Sequence, residues 1–152
     1  MTAENFRLLA AKDLLGFAGP DAMPPEATRA LVDGIDSPSL RQLAGMDGAD
    51  SEDLRATFRS VLRELEIEIP SPREAAILVA TEVARGITQG TVSPYEGATE
   101  IWGIVVSSRE HLPELDTFIY AASEWEDRPE DHNRFAVGII AAAHDLVHSG
   151  SS

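Results

Sequence analysis

The sequence predicts an all-α fold of about seven to eight helices with short connections, on three observations. Apolar residues recur at helical spacing along almost the whole chain, and sustained alternation typical of strands is nearly absent. Three Ser-Pro pairs mark helix starts, two of them followed by Glu in a capping-box pattern. At 152 residues, 43% apolar and 25% charged, the chain has the length and composition of one ordinary globular domain.

Four helices are predicted in the first half of the chain, over residues 3–15, 25–32, a short segment after Ser37-Pro38, and 51–65. Apolar residues three or four positions apart predict their inward faces: Phe6, Leu9, Ala10, Leu14, Leu40, Leu43, Ala44, Leu54, Phe58, Val61, Leu62 and Leu65. Between the fourth and fifth helices, Ile67 and Ile69 alternate with glutamates. We expect an extended connector there, with a two-stranded pairing as the alternative.

Four more helices follow: one from Pro72 to about residue 89, one after Ser93, one over 113–125 and one over 129–147. Their predicted inward residues are Ala98, Ile101, Trp102, Val105, Leu115, Phe118, Ile119, Ala122, Trp125, Phe135, Ile139, Ala143, Leu146 and Val147. Gly97 and Gly103 lower helix propensity by about 1 kcal/mol each, so close helix packing is expected at both. We expect one domain over residues 1–148 and a disordered tail over 149–152.

Composition excludes several kinds of site. The chain contains no Cys, which removes disulfides, thiolate nucleophiles and Cys-ligated metal centres. The N-terminal MTAENFRLLAA is acidic where a signal peptide is basic, and the longest uncharged stretch, residues 101–108, is too short to span a bilayer. We therefore expect a cytoplasmic protein that does not enter a membrane.

The net charge of −14 arises from 26 acidic and 12 basic residues. Such a surface repels nucleic-acid phosphates and attracts basic surfaces. High solubility alone also accounts for it. The charge therefore predicts no nucleic-acid partner and favours a protein partner with a basic surface.

No pattern of catalytic or cofactor-binding residues is visible. No Ser lies in a G-x-S-x-G frame, and no Gly-rich phosphate loop follows a strand. The acidic segment 47–53 lacks the Gly and Glu positions of an EF-hand, so it is interpreted as a helix start capped by Asp50 or Ser51. We expect no catalytic residue and no cofactor.

The stretch SEWEDRPED, residues 123–131, is the most acidic in the chain and holds five carboxylates around one Trp. Three of the five have an ordinary structural explanation. Glu130 and Asp131 lie in the first turn of the last predicted helix, where the helix dipole stabilises negative charge. Asp127 and Glu130 match a capping box across Arg128-Pro129.

Glu124 and Glu126 have no such explanation. They lie at the C-terminal end of their predicted helix, where carboxylates interact unfavourably with the dipole. They are either offset by an Arg or serve a partner. Trp125 continues the apolar stripe of that helix, which favours a position in the core. We therefore predict a partner-binding site at Glu124, Trp125, Glu126 and Asp127.

Two metal sites are alternatives. One would use Glu124, Asp127 and His132, because the two carboxylates are i, i+3 neighbours on a helix. The other would use His144 and His148, which are spaced as in the HExxH zinc motif although Asp replaces its Glu. Favourable placement of His near a helix C-terminus explains this second pair more simply. A further alternative is a small-ligand cavity lined by Tyr95, Trp102 and Tyr120.

Two segments carry a resemblance to other proteins: PYEGA with the following Ile101-Trp102, and the segment from Phe118 that ends in ASEWED. They resemble a group of small, acidic, all-α bacterial proteins, many of them actinobacterial, that share both signatures. The segment IDSPSLRQLAG, residues 35–45, is similar to their first half. The resemblance implies an all-α single domain and brings no activity, ligand or catalytic residue with it.

Together these observations predict a small acidic binding protein without catalysis, in an immunity-like or adaptor role, that engages a basic protein partner. Charge complementarity with a basic nuclease or toxin would suit such a role. The alternatives are a metal-binding helical protein and a helical domain that binds a small ligand.

Overall fold

The computed structural model describes residues 2–150, and within them the fold is all-α, with eight α-helices and no strand, as predicted. The α-helices, in chain order, are α1 Thr2–Leu15, α2 Met23–Val32, α3 Pro38–Ala44, α4 Ser51–Glu64, α5 Pro72–Thr88, α6 Pro94–Ser108, α7 Asp116–Glu124 and α8 His132–Gly150. A short 3-10 turn precedes three of them: Pro20–Ala22 before α2, Pro113–Leu115 before α7 and Pro129–Asp131 before α8.

The internal contacts divide the chain into two compact units, one ending at Ser71 and the other beginning at Pro72. The first contains α1 to α4 and the second contains α5 to α8. A single domain over residues 1–148 stays a prediction beside this division. Of the predicted tail, Ser149 and Gly150 belong to α8, while residues 151–152 lie outside the described residues.

In the first unit, α2 packs against α3, α3 against α4, and α1 against α2. Apolar residues of all four helices form its core: Phe6, Leu9, Met23, Ala27, Ala30, Leu40, Leu43, Leu54, Phe58, Val61 and Leu62. The rings of Phe6 and Phe58 lie 6.0 Å apart. Leu14, predicted to face inward, is instead 50% exposed, because it lies in the last turn of α1, next to the turn at Gly16.

In the second unit, α5 packs against both α6 and α8, and α7 packs against α6 and α8. Small residues on α5 (Ala75, Ala76, Ala80 and Ala84) are buried and let the neighbouring helices approach closely. A Cβ built at Gly97 of α6 would lie 2.5 Å from Cδ1 of Ile87 on α5, so a larger residue would require Ile87 or α6 to shift. The close packing predicted at Gly97 is therefore confirmed. At Gly103 it is wrong, because none of the described residues lies within 4 Å of a Cβ built there.

Side-chain caps begin several helices as the sequence predicts. Ser37 accepts a hydrogen bond from the Leu40 backbone N–H at 3.2 Å, and Ser93 accepts one from Glu96 at 3.3 Å. Asp50 caps α4 through the Glu52 N–H at 3.1 Å, which gives the acidic segment 47–53 its structural role. The connector after α4 forms no strand, so the two-stranded alternative for residues 65–70 is wrong.

Candidate functional site

The four residues predicted to bind a partner lie together where α7 ends. Glu124 is the last residue of α7, and Trp125, Glu126 and Asp127 form the turn that follows it. We call these four residues the acidic turn. Pro129 then begins the 3-10 turn that leads into α8, so the segment is held by a helix on each side.

Trp125 holds the acidic turn in place through ring stacking. Its indole stacks on Tyr95 at the start of α6, with ring centroids 4.8 Å apart, and on His132 at the start of α8, with centroids 4.0 Å apart. The Phe135 ring lies 6.4 Å away. Trp125 is half-buried, so it is neither a fully buried core residue nor a free ring. Its ring supports the turn and leaves the neighbouring carboxylates to face solvent.

A hydrogen bond adds to this support. Nε2 of His132 lies 2.6 Å from the backbone oxygen of Trp125. A carbonyl oxygen only accepts, so Nε2 carries the proton and donates it. The backbone of the turn is thus attached to the first residue of α8 by both a hydrogen bond and a ring stack.

The carboxylates of the acidic turn are not paired with a cation in the described part of the chain. Glu126 and Asp127 are exposed and Glu124 is half-buried, and none of the three forms an ion pair with the residues that the structure describes. The nearest Arg in sequence, Arg128, binds Asp131 at 3.3 Å and donates to the Tyr120 hydroxyl at 3.2 Å. The three carboxylates of this turn therefore carry negative charge with no direct ion-pair partner among the described residues.

The nearby arginines pair with Asp131 instead. Arg134 also binds it, at 3.1 Å, so two guanidinium groups share one carboxylate in the 3-10 turn before α8. The predicted capping box of Asp127 and Glu130 does not form, because Arg128 occupies the N-cap position and no side chain caps the 3-10 turn. Asp127 therefore does not have the capping role that the sequence predicted for it.

An exposed apolar surface continues from the acidic turn along α6. Tyr95, Thr99, Trp102 and Val106 are spaced i, i+4, i+7 and i+11, which places them on one helix face. We call these residues the α6 stripe, which extends about 16 Å along the helix axis. Trp102, predicted to face inward, is 38% exposed and Val106 is 65% exposed. Because Tyr95 stacks on Trp125, the stripe begins at the acidic turn.

The metal alternatives lack a ligand set in the structure. Among residues 2–150, no group of three or more His, Asp and Glu side chains is placed to hold a metal ion. Nε2 of His132 is occupied by the Trp125 carbonyl, which leaves only Nδ1 for a metal. His144 and His148 have ring centroids 6.3 Å apart, and Nδ1 of His148 lies 2.6 Å from the backbone oxygen of His144. That hydrogen bond fits the simpler role of His near a helix end.

Of the three residues predicted to line a ligand cavity, Tyr120 is 53% exposed and Trp102 lies on the outward face of α6, while Tyr95 is half-buried against Trp125. The rings of Tyr120 and Phe135 make an edge contact. Two exposed rings give little enclosure for a ligand, and a small-ligand site at these residues stays a prediction.

The comparisons with known proteins leave the site to be interpreted from its own geometry. No protein-family model matches the chain, and no curated protein or solved structure matches it. No helix between residues 2 and 150 combines the length and apolar character that a membrane crossing needs.

Proposed function

We propose that the protein is a non-catalytic binding protein that engages a partner with a basic protein surface through the acidic turn. The observation that carries the proposal is that Glu124, Glu126 and Asp127 have no ion-pair partner among residues 2–150, although arginines are close by. Like charges held this close repel one another, and a Lys or Arg from a partner would relieve that repulsion.

The support of the turn favours binding over mere solubility. A solubilising carboxylate can lie on any mobile surface loop, whereas these three flank a Trp stacked on two rings and bonded to His132. A rigid site loses less conformational entropy when it binds. The stacking therefore pre-organises the backbone that carries these carboxylates.

The α6 stripe supplies the apolar part of the same surface. Interfaces combine a desolvated apolar centre with a charged rim, and Trp is enriched among the residues that dominate binding energy. Trp102 provides such a residue two turns along α6 from Tyr95, whereas Trp125 supports the turn that carries the carboxylates. The partner we infer has basic residues adjacent to an apolar patch.

The net charge of −14 adds long-range attraction for such a partner. An immunity-like role against a basic nuclease or toxin, or an adaptor role in the cytoplasm, fits this combination of charge and rigid turn. Electrostatic steering of this kind raises the association rate and weakens with added salt.

A matched pair of triple variants tests the proposal. The site variant carries Glu124→Gln, Glu126→Gln and Asp127→Asn. The control variant carries Glu4→Gln, Glu52→Gln and Asp53→Asn, three exposed carboxylates with the same total charge. Affinity capture from lysate, followed by mass spectrometry, identifies proteins retained by the native chain and the control but lost by the site variant.

Titration of a captured partner then gives the affinity at low and high salt. We expect the site variant to bind about tenfold or more weakly than the control variant, with a smaller salt dependence. Equal loss in both variants would show that net charge alone is responsible and would remove the acidic turn from the interface.

A further inference from the structure

The first unit contains an apolar pocket that the proposed function does not use. It lies between α1, α2, α4 and the connector after α4, and its volume is about 170 Å³. A second depression of about 470 Å³ adjoins it and shares Arg59, Leu62 and Ile69 with it. For comparison, a cavity of roughly 150 Å³ in another protein accommodates benzene. The pocket itself therefore has room for a short alkyl chain or a single ring.

The walls of this pocket are apolar and partly open to water. Met23, Phe58 and Leu62 are buried and form its base. Leu14 and Ile69 also line it and are 50% and 59% exposed. Two large aliphatic side chains at an opening gain from contact with an apolar ligand, because that contact removes their surface from water.

Of the charged side chains that line the pocket, Arg59 alone has no ion-pair partner among residues 2–150. Arg55 donates from Nε to both carboxylate oxygens of Asp13, at 3.3 and 3.2 Å, and from Nη2 to one of them at 3.1 Å. This hydrogen bonding and the charge of Asp13 raise the pKa of Arg55. The two charges thus neutralise each other. Arg59, one turn further along α4, also lines the pocket and has no ion pair with the described residues.

The charged side chains of the adjoining depression do not cancel the positive charge of Arg59. Arg63 and Glu68 line it together with Arg59. Across both depressions three arginines face two carboxylates, which leaves one positive charge in a chain whose net charge is −14. A local positive charge beside apolar walls selects for an anion that carries an apolar tail.

We propose that this pocket binds a monocarboxylate with an apolar tail of about six to eight carbon atoms. The Arg59 guanidinium presents a planar set of donors that matches a carboxylate, and the tail lies against Leu14, Leu62 and Ile69. The proposal is independent of the acidic turn, which belongs to the other unit.

Titration of the full chain with octanoate, followed by amide chemical shifts in NMR, tests the ligand class. Saturable shifts confined to the pocket, at Leu14, Phe58 and Ile69, are expected for octanoate. Octanol and octylammonium serve as neutral and cationic probes of equal chain length. We expect octanoate to bind more tightly than octanol and octylammonium to bind least.

Four single variants assign the contacts. Arg59→Gln should weaken octanoate binding by about three- to fivefold, whereas Arg85→Gln, an exposed Arg without an ion pair among the described residues, should leave it unchanged. Ile69→Ser should weaken it by about threefold or more, and Val137→Ser, which alters an exposed Val of α8, should not.

Circular dichroism checks that each variant remains folded. The proposal is overturned if octanoate gives no saturable shifts at the pocket, if octanol binds equally well, or if Arg59→Gln has no more effect than Arg85→Gln.

Discussion

Helix α6 has a buried face and an exposed face, and large apolar residues lie on both. The buried face, formed by Gly97, Ala98, Ile101 and Ile104, packs within the second unit, while Thr99, Trp102, Gly103 and Val106 face outward. Each face has one glycine. A side chain at residue 97 would press on Ile87, whereas no described residue lies within 4 Å of a Cβ built at Gly103. The inward face is thus explained by the fold, and the outward face has no intramolecular explanation.

This difference shows why the buried face of a helical segment without charged residues is hard to predict from sequence. From residue 101 to residue 108, α6 contains no charged side chain. Two apolar stripes fit the same segment at helical spacing: one through Ala98, Ile101, Trp102 and Val105, the other through Gly97, Ile101 and Ile104. Packing selects the second, and Trp102 turns outward as a result.

Truncation on the buried face should give the largest effect. Ile101 is fully buried, so Ile101→Ala removes three carbon atoms and leaves a cavity. We expect the free energy of unfolding to fall by about 2–5 kcal/mol, measured by urea denaturation. A loss below 1 kcal/mol would mean that the two faces do not differ in packing as described.

Gly97→Ala should destabilise by an intermediate amount. The new methyl group would lie 2.5 Å from Cδ1 and 2.6 Å from Cγ1 of Ile87, so Ile87 or α6 must shift. Overpacking costs about 1–3 kcal/mol, and the better helix propensity of Ala offsets up to about 1 kcal/mol of that. We expect a net loss of about 1–2 kcal/mol in urea denaturation. The companion variant Ile87→Ala supplies the control. It removes both Cδ1 and Cγ1, the two atoms that the new methyl group would meet, so Gly97→Ala should cost less in that background.

The fold class could be predicted from the sequence, but the form of several helix starts could not. Where Ser precedes Pro, at Ser37 and Ser93, the Ser hydroxyl accepts a backbone N–H and an α-helix begins at the Pro. Where a residue without a capping oxygen precedes Pro, the first turn is a 3-10 helix, as after Gly19, Leu112 and Arg128. Pro satisfies both geometries, so Pro alone does not distinguish them.

The candidate site was predictable in part. Helix-dipole reasoning singled out Glu124 and Glu126, and the structure leaves both without a cation among the described residues. The stacking of Trp125 on Tyr95 depends on the packing of α7 against α6, which no local pattern encodes. Arg128 pairs with Asp131 and not with Glu124, and this pairing likewise depends on where the side chains lie in the folded chain.

Gly103→Ala should stabilise the protein, which makes it the opposite of Gly97→Ala in the same helix. Nothing obstructs the added methyl group, and Ala has the higher helix propensity. We expect a gain of about 0.5–1 kcal/mol in the free energy of unfolding. If Gly103→Ala stabilised the chain but weakened binding of a captured partner, close approach of that partner to residue 103 would account for the glycine.

Val106→Ser should change stability least, because Val106 is 65% exposed and the substitution keeps a small side chain. We expect a change within about 0.5 kcal/mol in urea denaturation. Its effect should appear in binding: if the α6 stripe extends the surface of the acidic turn, Val106→Ser should weaken a partner captured through that turn. Val137→Ser on α8 alters an equally exposed Val and should not.

The affinities of these variants for a captured partner distinguish the charged part of the surface, at the acidic turn, from the apolar part, on the α6 stripe. A partner that loses affinity with the acidic-turn variant but not with Val106→Ser would contact the carboxylates alone, and the outward face of α6 would then need another explanation. If the acidic-turn variant and Val106→Ser both lose affinity for the partner while Val137→Ser keeps it, the charged and apolar contacts belong to one continuous surface. Tyr95 would connect its two parts, because it lies on the α6 stripe and stacks on Trp125. Solvent exposure of Val106 and Val137 is similar, so a difference between them can only reflect position.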